Sequence, residues 1–272
     1  MPALKLGAQL YTLREYTKTE EDFAGTIKKV ADIGYKYVQV SGIGAGISAE
    51  FIKKVTEDNG VKVILTHTSL DRIKNETEKV IEEHNIFNCP GVGVGGFGGD
   101  RSADGFKKFA EDIAPAAAKI KAAGKLFLYH NHKFEFERFN GKTGMDIIID
   151  SSDKDAVKFT FDTYWAQAGG IDPTQFIEDY KDNIFATHLK DMTVRNDKIE
   201  TVINGKVTRT AISDNIYMTE ILTGNMNFRK ILKVSEENNV LWHFVELDEV
   251  YMDAFDSMKI SYDNLMATGK FE

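Results

Sequence analysis

The 272 residues predict one (β/α)8 barrel, a TIM barrel with a hairpin-containing insertion after its seventh strand. Three observations carry that expectation. Short apolar runs of strand length alternate with amphipathic helical stretches along the whole chain. No linker or low-complexity segment divides it, and about 250 residues is an ordinary size for a one-domain α/β barrel. Most of the apolar runs also end in polar side chains, and barrels build their sites at the carboxyl ends of the strands.

The elements follow in order. Leu4–Thr12 opens as a strand leading to Gln9, Tyr11 and Arg14. Thr19 caps a helix with an acidic first turn, its apolar face formed by Phe23, Ile27, Val30 and Ile33, and Gly34 ends it. Tyr35–Val40 is the second strand, with Gln39 near its tip. Ser48 caps the next helix, whose face is Phe51, Ile52 and Val55, and Gly60 stops it. Val61–Thr66 is the third strand, followed by His67, and residues 71–87 read as a single helix. The fourth strand is the glycine-rich stretch 91–96. Residues 102–123 form the clearest helix, in which Pro115 predicts a kink.

The fifth strand lies in Lys125–Phe136, KLFLYHNHKFEF, where an apolar run leads into His130, His132 and Glu135. A short helix at 145–150 follows. Strand six is 157–163, with Asp162 at its end and Tyr164 and Trp165 next. Asp172-Pro173 starts a helix with proline at its first position. Strand seven is Ile184–Leu189, reaching His188, Lys190 and Asp191. Residues 192–217 read as an irregular excursion over the barrel mouth, in which the alternation around Asn204-Gly205 signals a hairpin turn. This excursion is also placed to pack on a neighbouring subunit. Phe228–Glu237 is a helix, 241–247 is strand eight with Glu246 and Asp248 at its tip, and 253–266 is the closing helix.

Composition narrows the function classes. A formal charge of −8 argues against a nucleic-acid or anionic-membrane surface. The single cysteine, Cys89, excludes an internal disulfide and fits a reducing cytosol. The first residues lack a secretion signal, and no segment approaches the ~18 apolar residues that span a bilayer. A soluble, cytoplasmic protein is expected, with no membrane and no nucleic-acid partner. No loop clusters arginine with lysine.

An open doubly wound sheet also alternates strands and helices. Gly91, Gly93 and Gly96 fit G-x-G-x-x-G, the phosphate-binding turn such a fold needs. The match falls in the fourth unit and uses the strand itself, and no acidic residue ends the following strand. A glycine-rich barrel strand that leaves room for a ligand explains it better.

Period-two alternation tests whether the polar tips converge. His130 and His132 share a side of strand five with Leu126 and Leu128. The corresponding sides of strands six, seven and eight end in Asp162, in His188 and Lys190, and in Glu246 and Asp248. Singly, each has an ordinary structural explanation: His188 bonded to a carbonyl, Asp162 capping a turn, Glu246 paired with Lys190. Together at one depth on successive strands, His130, Asp162, His188 and Glu246 suit one divalent metal, Mn²⁺, Co²⁺, Zn²⁺ or Mg²⁺. Gln9, Tyr11, Gln39 and His67 read as contacts to a sugar. Trp165 reads either as such a contact or, with Tyr164, as barrel packing.

The runs GAQLYTLRE at 7–15, YHNHKFEF at 129–136, FDTYW at 161–165, HLKDM at 188–192 and VELD at 245–248 resemble the xylose-isomerase-like sugar phosphate isomerase/epimerase superfamily. The resemblance runs from the first strand to the last. It implies a TIM barrel holding one metal at its strand tips through a carboxylate, an aspartate, a histidine and a glutamate. Asp162, His188 and Glu246 match the last three. Ketose epimerases of that group carry a glutamate at the strand-five tip, where this chain has His130. Either His130 replaces the carboxylate, or Glu135 swings in.

The resemblance further implies an isomerase or epimerase of a small carbohydrate. Proton abstraction next to a metal-polarised carbonyl would run through an enediolate. Glu246 would take the proton, with His130, His132, Glu135 or Lys190 as its partner. If an oxygen leaves β to the carbonyl, the same carbanion gives a keto-sugar lyase or dehydratase, such as an inosose dehydratase or a 3-keto-glycoside eliminase. A non-catalytic sugar-binding barrel is the reading outside enzymes. The superfamily's abasic-site endonucleases need more histidine and glutamate than this chain offers, and its negative charge disfavours DNA.

Overall fold

A computed structural model describes residues 3–203 and 205–272. Eight parallel strands close into a barrel in the order β1-β12-β9-β8-β5-β4-β3-β2. These are β1 (Lys5–Gln9), β2 (Tyr37–Val40), β3 (Lys62–Thr66), β4 (Gly91–Val94), β5 (Leu126–His130), β8 (Val157–Asp162), β9 (Ile184–Leu189) and β12 (Trp242–Val245). The remaining four strands form two hairpins outside the barrel. One is small, β6 (Arg138–Phe139) with β7 (Lys142–Thr143); the other is long, β10 (Asp191–Ile203) with β11 (Lys206–Thr219).

The helices pack outside, and their starts are set by local chemistry. Thr19, Ser48, Ser102 and Asp253 each accept an amide N–H from the first turn of the helix they precede. Thr143 and Asp146 form a reciprocal capping box. Pro173 sits at the start of its helix behind the Asp172 cap, where its missing N–H costs nothing. The 20-residue helix Ala103–Ala122 runs through Pro115.

Two apolar clusters divide the core. The larger fills the layer between strands and helices. The smaller lies inside the barrel and is built from Ile64, Leu65, Leu128, Ala186 and Phe244. Leu128, Ala186 and Phe244 are the side chains that period-two alternation assigns to the same side as the polar tips. Gly7 and Gly91 leave the interior open: a Cβ at Gly7 would enter the Phe244 ring, and one at Gly91 would strike Leu65 and Leu128.

Four expectations need correction. The first strand ends at Gln9, and Leu10–Tyr16 winds as a 3-10 helix because the Gln9 side chain accepts the Tyr11 N–H. The helix expected over 71–87 is two, Leu70–Asn75 and Thr77–Ile86, broken at Glu76, which leaves helical geometry (φ −127°, ψ 34°). A short helix, Thr163–Ala168, follows strand β8 directly, nucleated by Asp162 as its cap. The stretch read as irregular around a hairpin turn is an antiparallel ribbon over its whole length, paired from Asp191↔Thr219 outward with one register shift between Thr201 and Val202. The Asp191 carboxylate fixes its base by accepting N–H groups from Met192, Leu222, Gly224 and Met226. Asn204, expected at the ribbon's turn, lies outside the described residues. Among the described residues no helix is long and apolar enough to cross a membrane.

Candidate active site

Strand geometry brings four side chains to one place. Asp162 is the last residue of β8, His188 the fifth of β9 and His130 the last of β5, while Glu246 follows β12 directly. In register, Asp162 lies beside His188, and His188 beside Phe244, two residues before Glu246. One donor atom from each of the four lies within 4.8 Å of the others, and all four side chains are buried.

The hydrogen bonds around the cluster set its proton positions. His130 Nδ1 is 3.2 Å from the Gly95 carbonyl, which only accepts, so Nδ1 carries a proton. Its Nε2 then faces Asp162 Oδ2 at 3.2 Å. His188 Nε2 donates to Gln39 Oε1 at 2.6 Å, leaving the lone pair of Nδ1 directed inward. That Nδ1 is 2.7 Å from Glu246 Oε2 without a hydrogen bond joining the two, so the Nδ1 lone pair has no donor. An unpartnered polar atom buried in this way is costly unless it holds something.

Asp162 divides its two oxygens. Oδ1 caps the helix that follows, accepting the Trp165 N–H at 2.9 Å, and Oδ2 faces the cluster. The capping role and the cluster role therefore coexist. Asn131, fully buried, accepts the Asp162 N–H and holds the backbone at that point.

Lys190 completes the charge pattern. Its fully buried ammonium lies 2.9 Å from Asp162 Oδ2, 2.9 Å from Glu246 Oε2 and 2.8 Å from Asp248 Oδ2. Burial disfavours every charge here, but Lys190 holds both Asp162 and Glu246 below the usual carboxylate range. Lys190 itself is pushed well above the ordinary lysine value by the three carboxylates, against its desolvation. Burial keeps His188 below the usual imidazole value. His130 is raised against its desolvation by the bond to Asp162. With both imidazoles neutral, as binding a cation requires, three carboxylates against one ammonium leave two negative charges, the amount one divalent cation balances. The donor set of two nitrogens and two carboxylates also suits such an ion, so these residues fit a metal.

The other expected residues divide into those near the cluster and those away from it. Glu135 is away: its carboxylate accepts the Tyr129 hydroxyl at 2.6 Å and the His132 N–H at 2.8 Å. Tyr129 packs against Phe109 and Phe159 in the layer outside the barrel. The structure thus brings His130, and not Glu135, into the cluster. The physical reason is a 3-10 turn at Phe134–Phe136, which carries Glu135 behind the strand.

A cavity of about 430 Å³ opens above the cluster, lined by Tyr11, His67, His130, His132, Glu246 and Asp248 among others. His67 Nδ1 lies 3.3 Å from Gln9 Nε2 and 3.1 Å from Ser41 Oγ, while its Nε2 is unpartnered. The amide nitrogen of Gln39 is also unpartnered, although its oxygen is taken by His188. Gln39 therefore orients a cluster histidine, a role its strand position alone did not reveal. Trp165 stands beside both His132 (5.6 Å between rings) and the Lys190 ammonium (5.7 Å). Burial holds His132 neutral, its pKa lowered to about 3. Asp248, Asn131 and the Gly95 carbonyl are the contributors that sequence reasoning did not assign to the site.

A closed parallel barrel with an acid-and-imidazole cluster at the carboxyl ends of its strands defines the class of this protein. Residues 27–240 match the family model of the xylose isomerase-like TIM barrel, and the chain belongs to that family. An inosose dehydratase of Clostridium perfringens is 26% identical over 134 residues, 49% of this chain and 44% of that protein, so the chain spans under half the length of this relative. A sugar phosphate isomerase/epimerase from Parabacteroides distasonis superposes with a TM-score of 0.75 at 24% identity, covering 97% of this chain and 98% of that one. A probable 3-DHS dehydratase involved in petrobactin synthesis, from Bacillus anthracis, gives a TM-score of 0.71 at 13% identity, covering 97% of this chain and 98% of that one.

Proposed function

We propose that the chain is a carbohydrate isomerase or epimerase that removes a proton next to a substrate carbonyl with the help of one divalent cation. The convergence of the His130, Asp162, His188 and Glu246 donor atoms on one point carries this reading. A divalent cation held by these donors, Mn²⁺, Co²⁺, Zn²⁺ or Mg²⁺, would supply Lewis-acid stabilisation of negative charge on a substrate oxygen.

The chain's own residues do the rest. Glu246 reaches both the cluster and the cavity, and its depressed pKa keeps it ionised at neutral pH, able to accept the proton. Lys190, protonated beside it, offsets the charge that develops in an enediolate. His132, neutral on the cavity wall, is placed to hydrogen-bond the substrate and not to act as a strong acid. His67, Gln9, Gln39, Tyr11 and Trp165 present the hydroxyl-binding and ring-stacking surface of a small-sugar pocket. The ribbon β10–β11 is the element available for packing on a second subunit.

A dehydratase is the second reading, favoured by the similarity to an inosose dehydratase. The two share proton removal and differ in whether a β-oxygen then leaves. Incubating the Mn²⁺-loaded protein in D₂O with ketoses, inososes and 3-keto-glycosides separates them by NMR. Deuterium next to the carbonyl in an epimerised or isomerised sugar supports the first reading, and a product that has lost its β-oxygen the second. Metal-loaded protein that produces neither with any member of the panel contradicts both and supports a binding barrel.

A further inference from the structure

Beyond the cluster the cavity continues between two loops that are distant in sequence. Gly96 and His132 line both the inner cavity and an outer one of about 500 Å³. The outer walls are Phe97, Phe134 and Trp165, with Arg101 and Lys133 at the rim. Arg101 lies over Phe134, its guanidinium carbon 3.8 Å from the ring centre, and Phe134 is itself stacked nearly parallel to His132. The loop at Gly95 and Gly96 keeps the passage open, since a Cβ at either would press on His67 or His132.

The charge of this outer space is one-sided. Among the described residues no carboxylate lines it, although the chain as a whole carries −8. Arg101 and Lys133 form no ion pair or side-chain hydrogen bond among the described residues, whereas surface cations such as Lys28, Lys54 and Lys108 are paired with a carboxylate one turn on. Two buried polar atoms, Trp165 Nε1 and His132 Nδ1, also stand unpartnered beside it. A neutral second sugar would bring hydroxyls that need acceptors, and the side chains here offer almost none. An anion would meet a planar guanidinium already held in place by a ring, an ammonium and an indole N–H.

We propose that this outer space is a subsite for an anionic substituent, so that the substrate is a sugar carrying a phosphate or carboxylate group. The inference rests on the proposed sugar-binding role of the inner cavity. The reacting end of the sugar would sit over Glu246, and the anion would lie past His132 against Arg101 and Lys133.

Calorimetry on the full chain tests this without requiring turnover. The probes are a hexulose 6-phosphate, the parent hexulose and a keto-hexonate, titrated into wild type, Arg101→Ala and the Arg101→Ala/Lys133→Ala double variant. An anionic sugar is expected to bind about ten- to a hundredfold tighter than the parent hexulose, from two or more charge-assisted hydrogen bonds. That ratio should fall to within about threefold in the double variant, with thermal melting as the check that it is folded. The stronger of the two anionic probes identifies phosphate or carboxylate as the group recognised. Equal binding of neutral and anionic sugars, or a preference that survives both replacements, overturns the proposal. An intact anionic preference without deuterium exchange would instead count against the proposed reaction and leave the subsite standing.

Discussion

Glu246→Gln is expected to lower kcat by about 10²–10⁴-fold, the contribution of a positioned general base. The substitution keeps the side chain's shape and still offers Lys190 an oxygen, so the fold should persist. It removes the one carboxylate that both belongs to the buried cluster and lines the cavity. Deuterium exchange into the substrate should fall in parallel with turnover, because both begin with the same proton transfer. Near-normal exchange in the variant would assign the base elsewhere, with Asp248, also on the cavity wall, next in line.

Lys190→Met is expected to give the largest loss of stability. It leaves Asp162, Glu246 and Asp248 facing one another without their shared ammonium. Breaking a buried charge set by removing one partner costs about 3–5 kcal/mol. For a chain of this size that is a fall in Tm of about 10 °C in metal-free protein. Asp162 and Glu246 are depressed, so their contribution is present above about pH 4 and is lost on acidification through their folded values. Lys190 is raised, so its contribution is present below about pH 10.4 and is lost only above that. The wild-type cluster therefore stabilises across the whole range between, and the variant should lose stability there. Added Mn²⁺ should recover more of the Tm in the variant than it gains in wild type, since it supplies the missing charge. A metal-free variant as stable as wild type would contradict this charge balance.

The barrel and the four cluster residues were legible because both rest on short-range rules. Strand alternation has a fixed period, so once His130, Asp162, His188 and Glu246 are placed at strand ends their common side follows. The capping residues Thr19, Ser48 and Asp172 announce their helices for the same local reason. What stayed hidden depends on the path of the chain between strands. Nothing near Glu135 in sequence says that a 3-10 turn carries it behind β5 to Tyr129. The pairing of Gln39 with His188 joins strands far apart in the chain. Arg101 and Lys133 meet at one cavity from separate loops, which is why no cluster of cations showed in either loop alone.

Titrating chelator-treated protein with Mn²⁺ at pH 8 and at pH 6 tests most directly whether His130, Asp162, His188 and Glu246 hold one divalent cation. The donors must be deprotonated to bind, and Asp162 raises the pKa of His130, so protonation of that imidazole competes increasingly as pH falls. One ion per chain at pH 8, a raised Tm on binding and a weaker apparent affinity at pH 6 are the predicted results. Protein that takes up no Mn²⁺, Co²⁺, Zn²⁺ or Mg²⁺ at pH 8, with its Tm unchanged, would contradict the claim.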